Sequence, residues 1–413
     1  MGDYVLRCVA GGETLPEQYT LSCSEHAGLI RTEYAARQLT VRPELPGIFR
    51  YSDWLPVHGT LPTRSRPVTF QSRELCRELG LPNLWVTFTG YYPERECFVP
   101  TGSFKELEAL PTTVRLAENG GGTLVVASAG NTGRAFAQMA AEFGTPVIIV
   151  VPESSANSLW TVTEPKLPEA VKLITVRGDY TDAIAVANRI TERPGYVPEG
   201  GAKNVARRDG MGTVMLDAAV TIGRMPDHYF QAVGSGTGGI AAWEAAMRLS
   251  ADGRFGCDVP RLHLAQNLPF VPMVNAWKER RALLLERDMP DAAGAIAQVS
   301  APVLTNRAPP YSMPGGVFDA MMYCGGDMYA VSNADAAEAG RIFSDAENGI
   351  DLDPAAAVAT AALISAVASG AVDSQDTITL NITGGGYARV REDLGIFPVP
   401  VTMTVDADEV PEI

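Results

Sequence analysis

The sequence predicts an α/β protein built as two doubly wound α/β lobes with a ligand crevice between them, and three observations point there. From about residue 110 onward, short β-branched runs alternate with amphipathic helical segments; such alternation makes βαβ units and parallel strands. At 413 residues the chain outgrows one hydrophobic core, so two lobes and a small appendage are expected. Three glycine-rich segments, ASAGNTG at 127–133, VGSGTGG at 233–239 and NITGGGY at 381–387, each follow a strand-like run. In doubly wound sheets ligands gather outside the carboxyl ends of the strands, which is where these three loops fall.

Taken in order, residues 1–47 are polar and turn-rich and close on RPELPG, a linker-like end. They read as an N-terminal extension, outside the core. Residues 48–109 and 195–413 are assigned to a larger lobe and 110–194 to a smaller one. Within the smaller lobe, TLVVA (123–127), VIIVV (147–151) and AVKLITV (170–176) read as strands, with helices over 131–143 and 181–190. The larger lobe continues with strands at 228–233 and 262–266, a helix near 239–249, a Pro- and Met-rich stretch to about 316, a helix from Asn333 and the strand TITLNIT at 377–383. Another helix opens at Asp353-Pro354, because Asp caps and Pro lacks the donor that would go unused in a first turn. No repeat of fixed period runs along the chain.

Bulk properties exclude several classes. With 46% hydrophobic and 20% charged residues the chain is globular, and its net charge of -15 argues against nucleic-acid or anionic-membrane binding. The N-terminus has no apolar signal region, and VIIVV is far too short to cross a bilayer. The Met-Gly start lacks Ser or Thr at the sixth position, so myristoylation is not expected. Six cysteines without a dense framework suggest reduced thiols, and a soluble, cytoplasmic protein is expected, assembling as a homo-oligomer.

The chemistry gathers around Lys105 in TGSFKELEA (101–109). Any lone lysine is usually solvated. Here the apolar and tight-turning CFVPTGSF before it would desolvate the amine and lower its pKa toward the nucleophilic form. ASAGNTG follows a strand and opens a helix, so its amides favour an anion such as a substrate carboxylate. Asn131 either contacts a ring oxygen or simply caps the helix. VGSGTGG offers enough N–H and O–H donors to wrap a phosphate. A dinucleotide is disfavoured because the following strand ends in Gln266 and Asn267, not in an acidic residue. A buried amine beside two anion cradles suits pyridoxal phosphate. In the last loop, Thr383 would face the ring nitrogen as a neutral hydroxyl, a weak electron sink that suits elimination and replacement over transamination; read without Lys105, the same loop is a sheet-end turn.

The order SFK, SAGNTG, GSGTGG, TGGG resembles the fold-type II pyridoxal-phosphate enzymes (tryptophan synthase β-like), in their threonine synthase branch, over roughly residues 50–400. The resemblance implies that Lys105 bonds the cofactor aldehyde, Asn131 contacts the ring oxygen, and Gly234, Ser235, Gly236, Thr237 and Gly238 hold the phosphate. It further implies that Thr383 meets the ring nitrogen and that Ser128, Ala129, Gly130 and Thr132 receive the amino-acid carboxylate. Glu106 stands where threonine synthases have Asp, and Gly385-Gly386-Tyr387 where they have His-Gly. The segment NVARRDGMGT (204–213) keeps Asn204, Arg207, Gly210 and Thr213 but lacks their Gln-Lys pair.

With LAQNLPF and FVPTGSFKE, the pattern is more similar to the cysteate synthases of methanogenic archaea, which replace the phosphate of O-phosphoserine with sulfite and serve coenzyme M synthesis. That implies anion sites, for which Arg134, Lys203, Arg207 and Arg208 are the basic residues nearest the motifs. Threonine synthase, another β-replacement enzyme such as a cysteine synthase, and a cofactor-free binding module are the alternatives. Residues 1–47 also resemble a degenerate zinc ribbon: Cys8, Cys23 and His26 are one ligand short of a closed site, with Gly11 where a ligand would stand, so no metal is expected.

Overall fold

The computed structural model describes residues 3–165, 167–409 and 411–412. The Met-Gly start and the outer limits of the expected segments 1–47 and 195–413 lie outside the described residues. Two parallel sheets carry the protein. The smaller has strand order Tyr196–Pro198, Thr123–Ala127, Val147–Pro152, Val171–Arg177, Val401–Asp406, all parallel. The larger runs Asp327–Val331, Arg261–Asn267, His228–Ala232, Ile378–Ile382, Leu84–Phe88, Val68–Phe70, with only the last edge strand antiparallel. Val147–Pro152 and His228–Ala232 are buried at every position, the signature of strands covered by helices on both faces.

Two placements differ from the sequence reading. Strands Tyr196–Pro198 and Val401–Asp406 both join the smaller sheet, beside Thr123–Ala127 and Val171–Arg177, so the stretch 195–413 does not stay within one lobe. Residues of the amino-terminal segment are also more than an appendage: Leu29, Tyr34 and Leu39 are buried in the main core. Their three-stranded antiparallel sheet, Thr14–Leu15, Tyr4–Cys8, Ile30–Tyr34, is fastened to the body by polar contacts. Thr32 and Tyr34 donate to Asp209 at 2.5 and 2.6 Å, and Arg115 donates to Glu17 at 2.9 Å.

Helix Lys105–Glu118 is the element that positions the site. Pro111 interrupts its hydrogen bonding, because the Leu107 carbonyl would otherwise be paired with an N–H at position 111. Gly210, on helix Val205–Ile222, packs against that carbonyl: a Cβ there would lie 2.0 Å from Leu107 O. Only glycine allows this close crossing, and it fixes the second helix against the first. Helix Pro354–Ala368 begins as expected, with the Asp353 side chain accepting from Ala355 N–H at 2.9 Å, a cap worth about 1 kcal/mol. All six cysteines are free thiols, five of them buried and Cys257 exposed. Among the described residues no helix is long and apolar enough to cross a membrane.

Candidate active site

Lys105 is the first residue of its helix, and the turn before it is tied to the carboxyl end of the central strand Ile378–Ile382. Phe104 N–H donates to Thr383 O at 2.9 Å, Gly385 N–H donates to Gly102 O at 3.0 Å, and Ser103 bridges Gly384. The lysine turn and the Thr383 loop are therefore one unit. A Cβ on Gly384 would come within 2.7 Å of Gly102 O, so the approach needs glycine at that point.

The Lys105 amine is mostly buried and lies 3.2 Å from Glu108 Oε2. Burial pushes its pKa below the ordinary lysine value, aided by the Arg207 charge and opposed by the Glu108 carboxylate. Glu108 is the hub: its other oxygen accepts from Thr132 Oγ1 at 3.0 Å, and Arg207 Nε sits 3.1 Å from Oε2. Arg207 in turn donates to Glu199 at 2.7 Å, and these two carboxylates raise its pKa although burial works against the charged form.

The ASAGNTG loop stands over this cluster at the start of helix Asn131–Phe143. Asn131 does not cap the helix; Gly130 holds the cap position. The Asn131 amide instead donates to Asp353 Oδ2 at 3.0 Å and accepts from Arg134 Nη2 at 2.6 Å. The same Arg134 nitrogen donates to Tyr387 OH at 3.0 Å, Arg134 Nε donates to Thr101 O at 3.0 Å, and Tyr387 OH donates to Asp353 at 2.7 Å. Ser128 Oγ accepts from Gly130 N–H at 3.3 Å, and Ala129 O accepts from Ser158 at 2.8 Å.

In the VGSGTGG loop, Gly236 takes φ 80° and starts helix Thr237–Asp252. A Cβ on Gly236 would meet Val317 Cγ2 at 2.2 Å, and one on Gly238 would meet Gln231 Nε2 at 2.1 Å. The hydroxyls of Ser235 and Thr237 lie 2.7 Å apart, beside a first helical turn whose N–H groups have no intrahelical acceptor. A Cβ on Gly234 would lie 3.0 Å from Leu304 Cα and one on Gly130 3.4 Å from Val303 Cγ1, so one segment borders both anion-type loops. Hydroxyls, open amides and a backbone with no room for side chains are a donor set that fits a phosphate.

A family model described as pyridoxal-phosphate dependent enzyme matches residues 80–384. The cysteate synthase of Methanocorpusculum labreanum is 68% identical to this chain over 411 residues, covering 100% of both. That of Methanosarcina acetivorans is 54% identical, covering 100% of this chain and 99% of the relative. The chain belongs to the cysteate synthase family of pyridoxal-phosphate dependent enzymes. Threonine synthase from Escherichia coli shares the fold at TM-score 0.64 and 15% identity, covering 98% of this chain and 97% of that one. Maize serine racemase does so at TM-score 0.56 and 16% identity, covering 78% and 88%. The fold is thus that of the fold-type II enzymes, and membership in an enzyme family sets aside the cofactor-free binding module.

Of the basic residues singled out from the sequence, Lys203 is exposed on the turn Gly201–Lys203. Arg208 is committed elsewhere: it donates to Glu244 at 2.9 Å and to the carbonyls of Ile30 and Ala202, fastening the amino-terminal sheet. Sequence reasoning missed Glu108 and Glu199, and it gave Asp353 only its capping role. Glu108 was within reach, since three residues after Lys105 places it on the same helix face.

Proposed function

We propose that this member of the cysteate synthase family converts O-phospho-L-serine and sulfite to L-cysteate and phosphate, a β-replacement that serves coenzyme M biosynthesis. The carrying observation is the buried, pKa-lowered Lys105 amine, held 3.2 Å from Glu108 on a turn hydrogen-bonded to Thr383. Gly234 to Gly238 would hold the phosphate of pyridoxal phosphate, Asn131 its ring oxygen and Thr383 its ring nitrogen. The Asn131 nitrogen that bonds Asp353 has a second N–H to offer. When bound, the cofactor supplies an electron sink for the charge left at the substrate α-carbon.

Lys105 Nζ is the base that takes the α-proton, and its depressed pKa places more of it in the neutral form that can do so. Glu108 holds that nitrogen in place. Ser128 to Thr132, at a helix start, receive the substrate carboxylate. Because phosphate leaves from the β-carbon, Lys105 needs no partner to shuttle a second proton. Thr383 is buried and uncharged, which favours prompt loss of the leaving group over a long-lived carbanion. Arg134 and Arg207 would add positive charge to the neutral loop donors in balancing incoming phosphate and sulfite.

Purified protein is given phosphoserine with sulfite, phosphoserine with sulfide, and phosphohomoserine with water, and the products are read by mass spectrometry. Cysteate in the first arm is the expected result. Threonine or cysteine without cysteate would overturn the reading in favour of a threonine or cysteine synthase. Lys105→Ala is expected to abolish turnover and to remove the pyridoxyl mass that borohydride leaves on the Lys105 peptide; ordinary rates in that variant would sink the assignment of the base.

A further inference from the structure

The amino-terminal sheet brings together four metal-ligating side chains that take no part in the site above. Cys8 ends the strand Tyr4–Cys8, Glu13 precedes the strand Thr14–Leu15 across a tight turn, and Cys23 and His26 lie in the following loop. One ligand atom from each falls within 4.8 Å of all the others. Glu13 Oε1 is 2.7 Å from Cys23 Sγ and 2.8 Å from His26 Nδ1, and Cys23 Sγ is 4.0 Å from His26 Nδ1. In a tetrahedral zinc site, bonds of about 2.0 to 2.3 Å separate neighbouring ligand atoms by about 3.3 to 3.8 Å. Side-chain shifts of roughly 1 Å or less would therefore close a coordination sphere here.

Two further features suit a cation. Each sulfur accepts a backbone N–H, Cys8 from Gly11 and Cys23 from Glu25, both at 3.4 Å. Backbone donors of this kind orient the sulfurs as they do around a bound metal. Gly11 itself is accounted for: a Cβ there would lie 2.0 Å from Glu13 Oε2 and 2.4 Å from His26 Nδ1. The residue that from sequence occupies a lost ligand position is the gap through which Glu13 and His26 reach the sulfurs.

We propose that Cys8, Glu13, Cys23 and His26 form a closed, structural zinc site. Two soft thiolates, an imidazole and one carboxylate in a compact four-fold arrangement match zinc better than magnesium or calcium, which take oxygen ligands. The buried cysteines face the protein, while Glu13 and His26 close the site from the solvent side. The ion would cross-link the hairpin 4–15 to the loop 20–30. That loop leads into Leu29, whose N–H donates to Pro314 O at 2.9 Å, so the cross-link holds the sheet onto the body.

The test is metal content of the full-length protein, produced in zinc-supplemented medium, purified without chelators and measured by plasma mass spectrometry. One zinc per chain is expected, with loss of zinc in Glu13→Gln and in Cys23→Ser. Cobalt(II) added to reduced, chelator-treated wild type should give the visible bands of a tetrahedral thiolate complex in a difference spectrum against Cys23→Ser. A wild-type protein that carries no zinc and, once reduced, takes up neither zinc nor cobalt overturns the proposal. So does a Cys8–Cys23 disulfide that persists in reducing buffer. Both wild-type readings stand even if the variants fail to fold, and neither depends on turnover.

Discussion

Glu106, the residue after the proposed catalytic lysine, gives a quantitative handle on the burial of this region. Its carboxylate is 1% exposed, accepting from Ser65 Oγ at 2.5 Å, Thr101 Oγ1 at 2.7 Å and Thr101 N–H at 3.2 Å. Burial outweighs those bonds and pushes the carboxyl up from 4.5 to about 7. Between those two values the folded protein keeps a proton that the unfolded chain has released. Stability must then fall as pH rises, by about 3 kcal/mol in full and by about 2.5 kcal/mol between about pH 5 and about pH 8. Glu106→Gln removes the ionisation while keeping the shape: the amide oxygen can accept from Thr101 and the amide nitrogen can donate to Ser65. Urea denaturation of cofactor-saturated wild type and variant, followed by circular dichroism at both pH values, measures the difference. The variant is expected to gain on the wild type by about 2.5 kcal/mol from the lower to the higher pH. Parallel stabilities across that range would refute the claim that Glu106 is held neutral by burial.

Two further outcomes follow from the same cluster. Glu108→Gln removes the charge that holds the Lys105 pKa up against burial, so the acidic limb of kcat, which reports the amine in the substrate-bound enzyme, should move to lower pH. Because the amine also loses its anchor, kcat should fall about 10- to 100-fold; an unmoved limb with unchanged kcat would count against Glu108 as a positioning residue. Thr383→Asp places a carboxylate where a neutral hydroxyl stands, which should shift products toward transamination and other side reactions, as read by chromatography of the amino- and keto-acid products. An unchanged product profile would contradict the electron-sink argument.

The parallel strands and their helices were legible because buried β-branched runs and amphipathic helices carry their period in the sequence, as TLVVA and Asn131–Phe143 do. Other elements carried no such signal. Val68–Phe70 and Val401–Asp406 are edge strands, partly exposed and without a long apolar run. Helix Val205–Ile222 was missed for the opposite reason: it is buried from Val205 through Ala219, so no polar face marks its 3.6-residue period. At the site, the glycine loops could be read because their backbones leave no space for a Cβ, a constraint that a sequence records directly as Gly236 and Gly238.

Basic residues record much less about where they act. The chain has 33 Lys and Arg against 48 Asp and Glu, so a buried cation finds an acidic partner almost wherever the fold puts it. Arg115 pairs with Glu17, Arg208 with Glu244, Arg248 with Asp209 and Arg207 with two carboxylates at once. Proximity to a motif in sequence therefore marked Arg207 and Arg208 alike, although one sits beside Lys105 and the other fastens the amino-terminal sheet. The same excess of acid bears on the proposed anion sites. An arginine already neutralised by a carboxylate has less charge to give an incoming anion, so under the proposed function recognition of cofactor and substrate would fall first on neutral donors. Those would be the hydroxyls and helix-start amides of the 128–132 and 234–238 loops, whose glycines stand openly in the sequence.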